Sequence, residues 1–193
     1  MKNIRWIILA VLLVALIAAA GGLYNSLKDN VELSSLAVQA TTVPAGPTSA
    51  PTATPRPAPD FTVVDAQGNE IRLSDFLGKP VVVNFWASWC GPCKSEMPAF
   101  QQAWEQYGDR VQFLMVNMTD GSRETLGTAQ DFLATQEYTF PVYFDTMQEA
   151  AIAYGVTSIP TTCFISAQGG LVARISGALS LRTLEKGLSL IMD

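Results

Sequence analysis

The chain has no histidine and only three cysteines among its 193 residues. Without imidazole it cannot build a Cys/His zinc site, a Cys-His nucleophilic pair or a histidine-assisted copper relay. Three thiols cannot complete a four-thiolate site within one chain. Basic charge is also scarce where a folded domain is expected. From Asp60 onward there are 8 Lys/Arg against 15 Asp/Glu, a balance of −7, whereas the residues before it carry 4 against 2. An acidic domain argues against nucleic acid as a partner, because phosphate binding needs basic surface. The sequence contains no internal repeat and no cofactor-binding motif, so neither a resident cofactor nor a metal is expected.

Two of the three cysteines stand together in Trp89-Cys90-Gly91-Pro92-Cys93, directly after the apolar run Val81-Val82-Val83-Asn84-Phe85-Trp86. A strand that ends in C-x-x-C and continues as a helix gives this pair its chemistry. Cys90 falls where unpaired helix N–H groups and the positive end of the helix dipole stabilise a thiolate. Cys93 lies one turn on, within reach to close a disulfide. Such a pair exchanges electrons with other disulfides: Cys90 attacks, and Cys93 resolves the mixed disulfide. A purely stabilising crosslink is a poor alternative, since two intervening residues restrain an unfolded chain very little. Half of a zinc site completed by a second chain is the other bland reading. Cys163 lies in an apolar strand and reads as a small core residue.

Trp6 to Leu23 is an uncharged, mainly apolar run preceded by Lys2 and Arg5. It is long enough to span a bilayer with the N-terminus in the cytoplasm. Ala18-Ala19-Ala20 also offers a signal-peptidase site, so a retained anchor and a cleaved leader both stay open. Either one exports the remainder of the chain. From about Thr41 to Pro59 the composition is Pro, Thr, Ser and Ala, which predicts an extended spacer without apolar mass to bury. The expected organisation is therefore an anchor or signal over 1–23, a juxtamembrane segment and linker over 24–58, and a globular domain over 59–193.

That domain reads as α/β. Phe61–Val64 and Glu70–Leu73 flank a hairpin turn, and Val81–Trp86 is apolar on both alternations, as a central buried strand should be. A helix is expected from near Cys90 to Tyr107, then strand Val111–Asn117, helix Arg123–Thr135 and short strand Pro141–Phe144. Gln148–Tyr154 looks helical, Thr161–Ile165 pairs with Leu171–Ser176, and Leu181–Ile191 closes the chain as a helix.

Asn84-Phe85-Trp86-Ala87-Ser88-Trp89-Cys90-Gly91-Pro92-Cys93-Lys94-Ser95-Glu96-Met97-Pro98, together with Ser158-Ile159-Pro160-Thr161-Thr162, resembles the thioredoxin superfamily. Within it the match is to the membrane-anchored TlpA/ResA-like thiol-disulfide oxidoreductases, which carry a redoxin (AhpC/TSA-like) domain. Ala58-Pro59-Asp60-Phe61 and Leu73-Ser74-Asp75-Phe76-Leu77-Gly78-Lys79-Pro80 are similar to the leader of that branch. The resemblance implies a thioredoxin fold with an N-terminal β-hairpin and a strand-helix insertion before Pro160. It implies a cis Pro160 facing the dithiol, with Ile159 offering backbone hydrogen bonds to an extended substrate. Trp89 is expected to cover the active-site surface, and Gly91-Pro92 to shape the turn and bias the potential towards reduction.

Asn84 stands where cytoplasmic thioredoxin has a proton-transferring aspartate, a task asparagine cannot perform. The branch carries a glutamate at Glu96, one helical turn after Cys93. Glu96 is therefore expected to handle the proton of Cys93, against the plain alternative of a solvated helix glutamate. As partners, the resemblance implies disulfide-containing exported proteins, apocytochrome c among them. It also implies a membrane electron donor of the DsbD/CcdA kind. An oxidase or isomerase using the same pair, and a thiolate metal carrier, are the competing functions.

Overall fold

Six residues organise the domain. Val81–Trp86, here β4, are all buried, with Val82 and Trp86 turned to one side of the sheet and Val81, Val83 and Phe85 to the other. A strand covered on both faces must sit inside the sheet. In the computed structural model, which describes residues 55–192, it lies between a parallel and an antiparallel neighbour. The apolar run and most of the Pro-rich spacer lie outside the described residues. Among those described, no helix is long and apolar enough to cross a membrane.

The strands before it are β1 (Arg56–Pro57), β2 (Thr62–Val64) and β3 (Glu70–Arg72); those after it are β5 (Gln112–Asn117), β6 (Val142–Phe144), β7 (Thr161–Ile165) and β8 (Gly170–Ser176). They form one sheet of eight strands in the order β1-β8-β7-β4-β5-β6-β2-β3. The helices are α1 (Gly91–Tyr107), α2 (Leu126–Ala134), α3 (Glu149–Ala153) and α4 (Leu181–Met192). This is the thioredoxin-like α/β arrangement expected from the sequence. The β2–β3 hairpin stands at one edge, and β6 with α3 forms the insertion between α2 and Pro160.

The sheet separates two apolar cores. One gathers Val82, Trp86, Phe113, Met115 and Phe164 beneath α1 and α4, through Met97, Phe100, Leu184 and Leu188. The other joins Val83, Phe85, Leu114 and Val116 to the hairpin residues Phe61 and Val63 and to α3. In α1 the buried positions are Cys93, Glu96, Met97, Phe100 and Ala103, the spacing of a single helix face. One carboxylate thus sits in an otherwise apolar stripe.

Two elements differ from the sequence reading. α2 begins at Leu126, three residues later than expected, because Thr125 caps it by accepting from the Thr128 N–H at 3.1 Å. Arg123 and Glu124 belong instead to a loop in which Asp120 Oδ1 accepts from the N–H of Ser122 at 2.8 Å and of Glu124 at 3.0 Å. The second difference is β1. Composition placed Arg56 and Pro57 in the spacer, yet they pair with Leu171 and Gly170 of β8. Pro57 is tolerated there because β1 is an edge strand.

Gly187 of α4 packs directly on the buried Phe164 ring, and a Cβ at that position would overlap it. Gly187→Ala should therefore destabilise the domain by about 2 kcal/mol in urea unfolding. That loss is expected although alanine is favoured over glycine by ~1 kcal/mol within a helix.

Candidate active site

The C-terminal end of β4 delivers Cys90 to the N-cap of α1, where its backbone is still extended and its Sγ accepts from the Cys93 N–H at 3.1 Å. Pro92 in the first turn of the helix has no N–H to leave unpaired. Cys90 and Cys93 are joined as a disulfide, with their Cα atoms 5.3 Å apart. Gly91 and Pro92 form the exposed face of this turn. Cys90 is more covered than its position in the sequence suggests, at 4% exposed against 0% for Cys93. Its cover is explained by the facing loop: the Ile159 carbonyl oxygen lies 3.8 Å from Cys90 Sγ.

That loop is held by the cis peptide bond between Ile159 and Pro160. Pro160 is buried, and its carbonyl accepts from the Gly177 N–H at 2.8 Å. Ile159 remains partly accessible and forms, with Val156, Thr157 and Ser158, one side of a groove of about 300 Å³. Trp89, Met118, Asp120 and Gln148 also line it. Trp89 is 39% exposed beside the dithiol, whereas Trp86 is fully buried and packs against Phe132.

Glu96 lies one turn after Cys93 on the same buried face of α1 and is 1% exposed, so it is not a solvated helix residue. Its Oε1 accepts from Asn84 Nδ2 at 2.8 Å and its Oε2 from the Leu179 N–H at 2.8 Å. Asn84 Nδ2 also donates to Thr162 Oγ1 at 3.0 Å, while Asn84 Oδ1 is buried without a partner. Burial opposes the ionised form and outweighs both hydrogen bonds, raising the carboxyl pKa from 4.5 to about 7. Asn84 and Thr162 were not expected as a pair. They meet because they are register partners in β4 and β7 and both side chains turn towards α1.

The third thiol is elsewhere. Cys163 is fully buried in the core on the opposite side of the sheet, and desolvation pushes its pKa up to about 12. A thiol so protonated is inert as a nucleophile.

The shift of Glu96 has a consequence for stability. Between pH 4.5 and about 7 the native state binds a proton here that the unfolded chain has lost. Its contribution is complete at low pH and disappears as pH rises through the folded value, by about 3 kcal/mol in all. Urea unfolding of the oxidised protein at pH 4 and pH 8 should show this loss, and Glu96→Gln should lack that part of it.

A family model described as AhpC/TSA matches residues 55–174. The thiol-disulfide oxidoreductase ResA of Geobacillus kaustophilus is 36% identical over 135 residues, covering 69% of this chain and 75% of the relative. That of Bacillus subtilis is 33% identical over 135 residues, covering 69% and 73%. Among solved structures, a thioredoxin-family thiol:disulfide interchange protein of Chlorobium tepidum superposes with a TM-score of 0.64 at 27% identity, covering 74% of this chain and all of the other. StoA of Bacillus subtilis superposes at 0.59 with 27% identity, covering 69% and 98%. With the Cys90–Cys93 disulfide at the start of α1, the chain belongs to the AhpC/TSA family of the thioredoxin superfamily, as a ResA-like thiol-disulfide oxidoreductase.

Proposed function

We propose that this oxidoreductase works outside the cytoplasm, held at the membrane by residues 1–23, and reduces disulfides in exported proteins. The observation that carries this reading is the placement of one reducible pair between two features. The cis Ile159–Pro160 loop closes directly on it, with the Ile159 carbonyl oxygen 3.8 Å from Cys90 Sγ, and the buried carboxylate of Glu96 stands on the same helix face as Cys93.

In the reducing direction the Cys90 thiolate attacks one sulfur of a substrate disulfide. That bond breaks, a mixed disulfide forms, and the first substrate sulfur leaves as a thiolate that takes a proton. Glu96, as a carboxylate, accepts the proton of Cys93. The Cys93 thiolate then attacks Cys90 Sγ, the second substrate sulfur leaves, and the Cys90–Cys93 disulfide closes. Two electrons have passed from the dithiol to the substrate. A carboxyl pKa of about 7 suits Glu96 to take and return that proton near neutral pH. The Ile159 backbone, half-buried beside the groove, is the group that pairs with an extended substrate.

Gly91-Pro92 between the cysteines, the dipeptide of a reducing thioredoxin-type site, favours reduction over oxidation. On that reading apocytochrome c, whose haem-attaching cysteines must be reduced before ligation, is one substrate. A membrane protein of the DsbD/CcdA kind restores the dithiol.

Cys90→Ser should abolish reduction of insulin-type disulfides. Cys93→Ser should accumulate mixed disulfides, from which the partners can be identified by mass spectrometry. Acid quenching of intact cells followed by mass-tagging should find the wild-type pair mostly reduced. A pair that is mostly oxidised would move the assignment to an oxidase or isomerase.

A further inference from the structure

The loop between β5 and α2 makes no part of the exchange chemistry, yet it grips the active-site turn at two consecutive residues. Glu124 is fully buried, and three hydrogen bonds hold its carboxylate. Oε1 accepts from the Ser88 N–H at 3.0 Å and from Asn117 Nδ2 at 2.8 Å, and Oε2 accepts from the Ser88 hydroxyl at 2.8 Å. Among the described residues Glu124 forms no ion pair. A charge buried among neutral dipoles is costly and is poor evidence for added stability. What it provides is direction, because two of the three donors belong to the residue that precedes Trp89.

Arg123 turns the other way, over the exposed side of the same turn. Its guanidinium carbon stands 3.4 Å from the centroid of the Trp89 ring. The loop that carries both residues is itself closed, with Asp120 accepting from two backbone N–H groups and the Gly121 N–H donating to the Glu124 carbonyl at 3.0 Å. Met118 and Asp120 from this loop share the groove with Trp89 and Ile159. The indole is thereby fixed as part of the groove lining, next to Cys90 in the chain and sharing the groove with Ile159.

We propose that Arg123 and Glu124 are positioning residues for polypeptide substrates: by holding Ser88 and Trp89 they shape the groove in which an extended chain lies while its disulfide meets Cys90. A small disulfide reaches the sulfur without lying along the groove and depends on the clasp far less. The proposal rests on the reductase reading of the dithiol, but one of its tests does not use turnover.

The first test compares two substrates on the full chain, a protein disulfide such as insulin and a small aromatic disulfide. Arg123→Ala should lower kcat/KM for the protein about threefold to fivefold, through KM, as expected for a lost cation–π contact at an exposed site. The small disulfide should lose much less. Arg123→Lys, which keeps a cation over the ring, should recover most of the difference. Glu124→Gln retains the shape but replaces hydrogen bonds to a carboxylate with weaker ones to a neutral amide, and should cost the protein substrate about tenfold. Equal losses on both substrates, or none, would overturn the proposal.

The second test is independent of catalysis. The Trp89 indole N–H signal in the oxidised protein should shift and broaden in Arg123→Ala and return in Arg123→Lys. An unmoved signal would show that Arg123 does not hold the ring, whatever the reductase assays give. Inactive wild-type protein alongside a shifted indole would instead implicate the reductase reading and leave the clasp standing.

Discussion

A carboxylate removed from water must find donors for both oxygens, and Glu96 finds them in parts of the chain far apart. Asn84 belongs to the central strand, and the Leu179 N–H to the segment that leads into the last helix. Meeting that requirement fixes α1 against the sheet on one side and the approach to α4 on the other. The first turn of α1, with the two sulfurs, is carried by the same helix. A single polar residue in an apolar stripe thus relates the dithiol to the core by direction as well as by depth, which hydrophobic packing alone does loosely.

The alternation of β4 extends this logic across the sheet. Asn84 shares a face with Val82 and Trp86, and its register partner Thr162 shares one with Phe164, so polar and apolar partners of α1 arrive together. One residue along, Cys163 faces the other core. The reactive pair and the third thiol are therefore separated by a layer of backbone.

Much of this was legible because the strongest local signals are strung along one stretch. The apolar run of β4, the C-x-x-C after it and the i,i+3 spacing of Glu96 from Cys93 each speak within a few residues. The remainder depends on distant pairing. Nothing near Asn84 announces Thr162, since their contact depends on the β4–β7 register. The donor at Leu179 is a backbone N–H, which no side-chain pattern marks. Glu124 reads as the first turn of a helix because charged residues are common there, and only the cap at Thr125 shows that the helix starts after it. β1 was hidden by composition: prolines that predict a spacer also fit an edge strand too short to have a pattern.

That edge strand decides where force enters the domain. Gly170 has no Cβ, and Pro55 comes close enough to fill the space one would take, while the Ala58 N–H donates to the Gly169 carbonyl at 2.8 Å. A pull transmitted along the chain from before Pro55 therefore loads the margin of the sheet at β8. Since β8 and β7 stand between β1 and β4, a load entering at β1 is two strands removed from the strand that carries the reactive sulfurs.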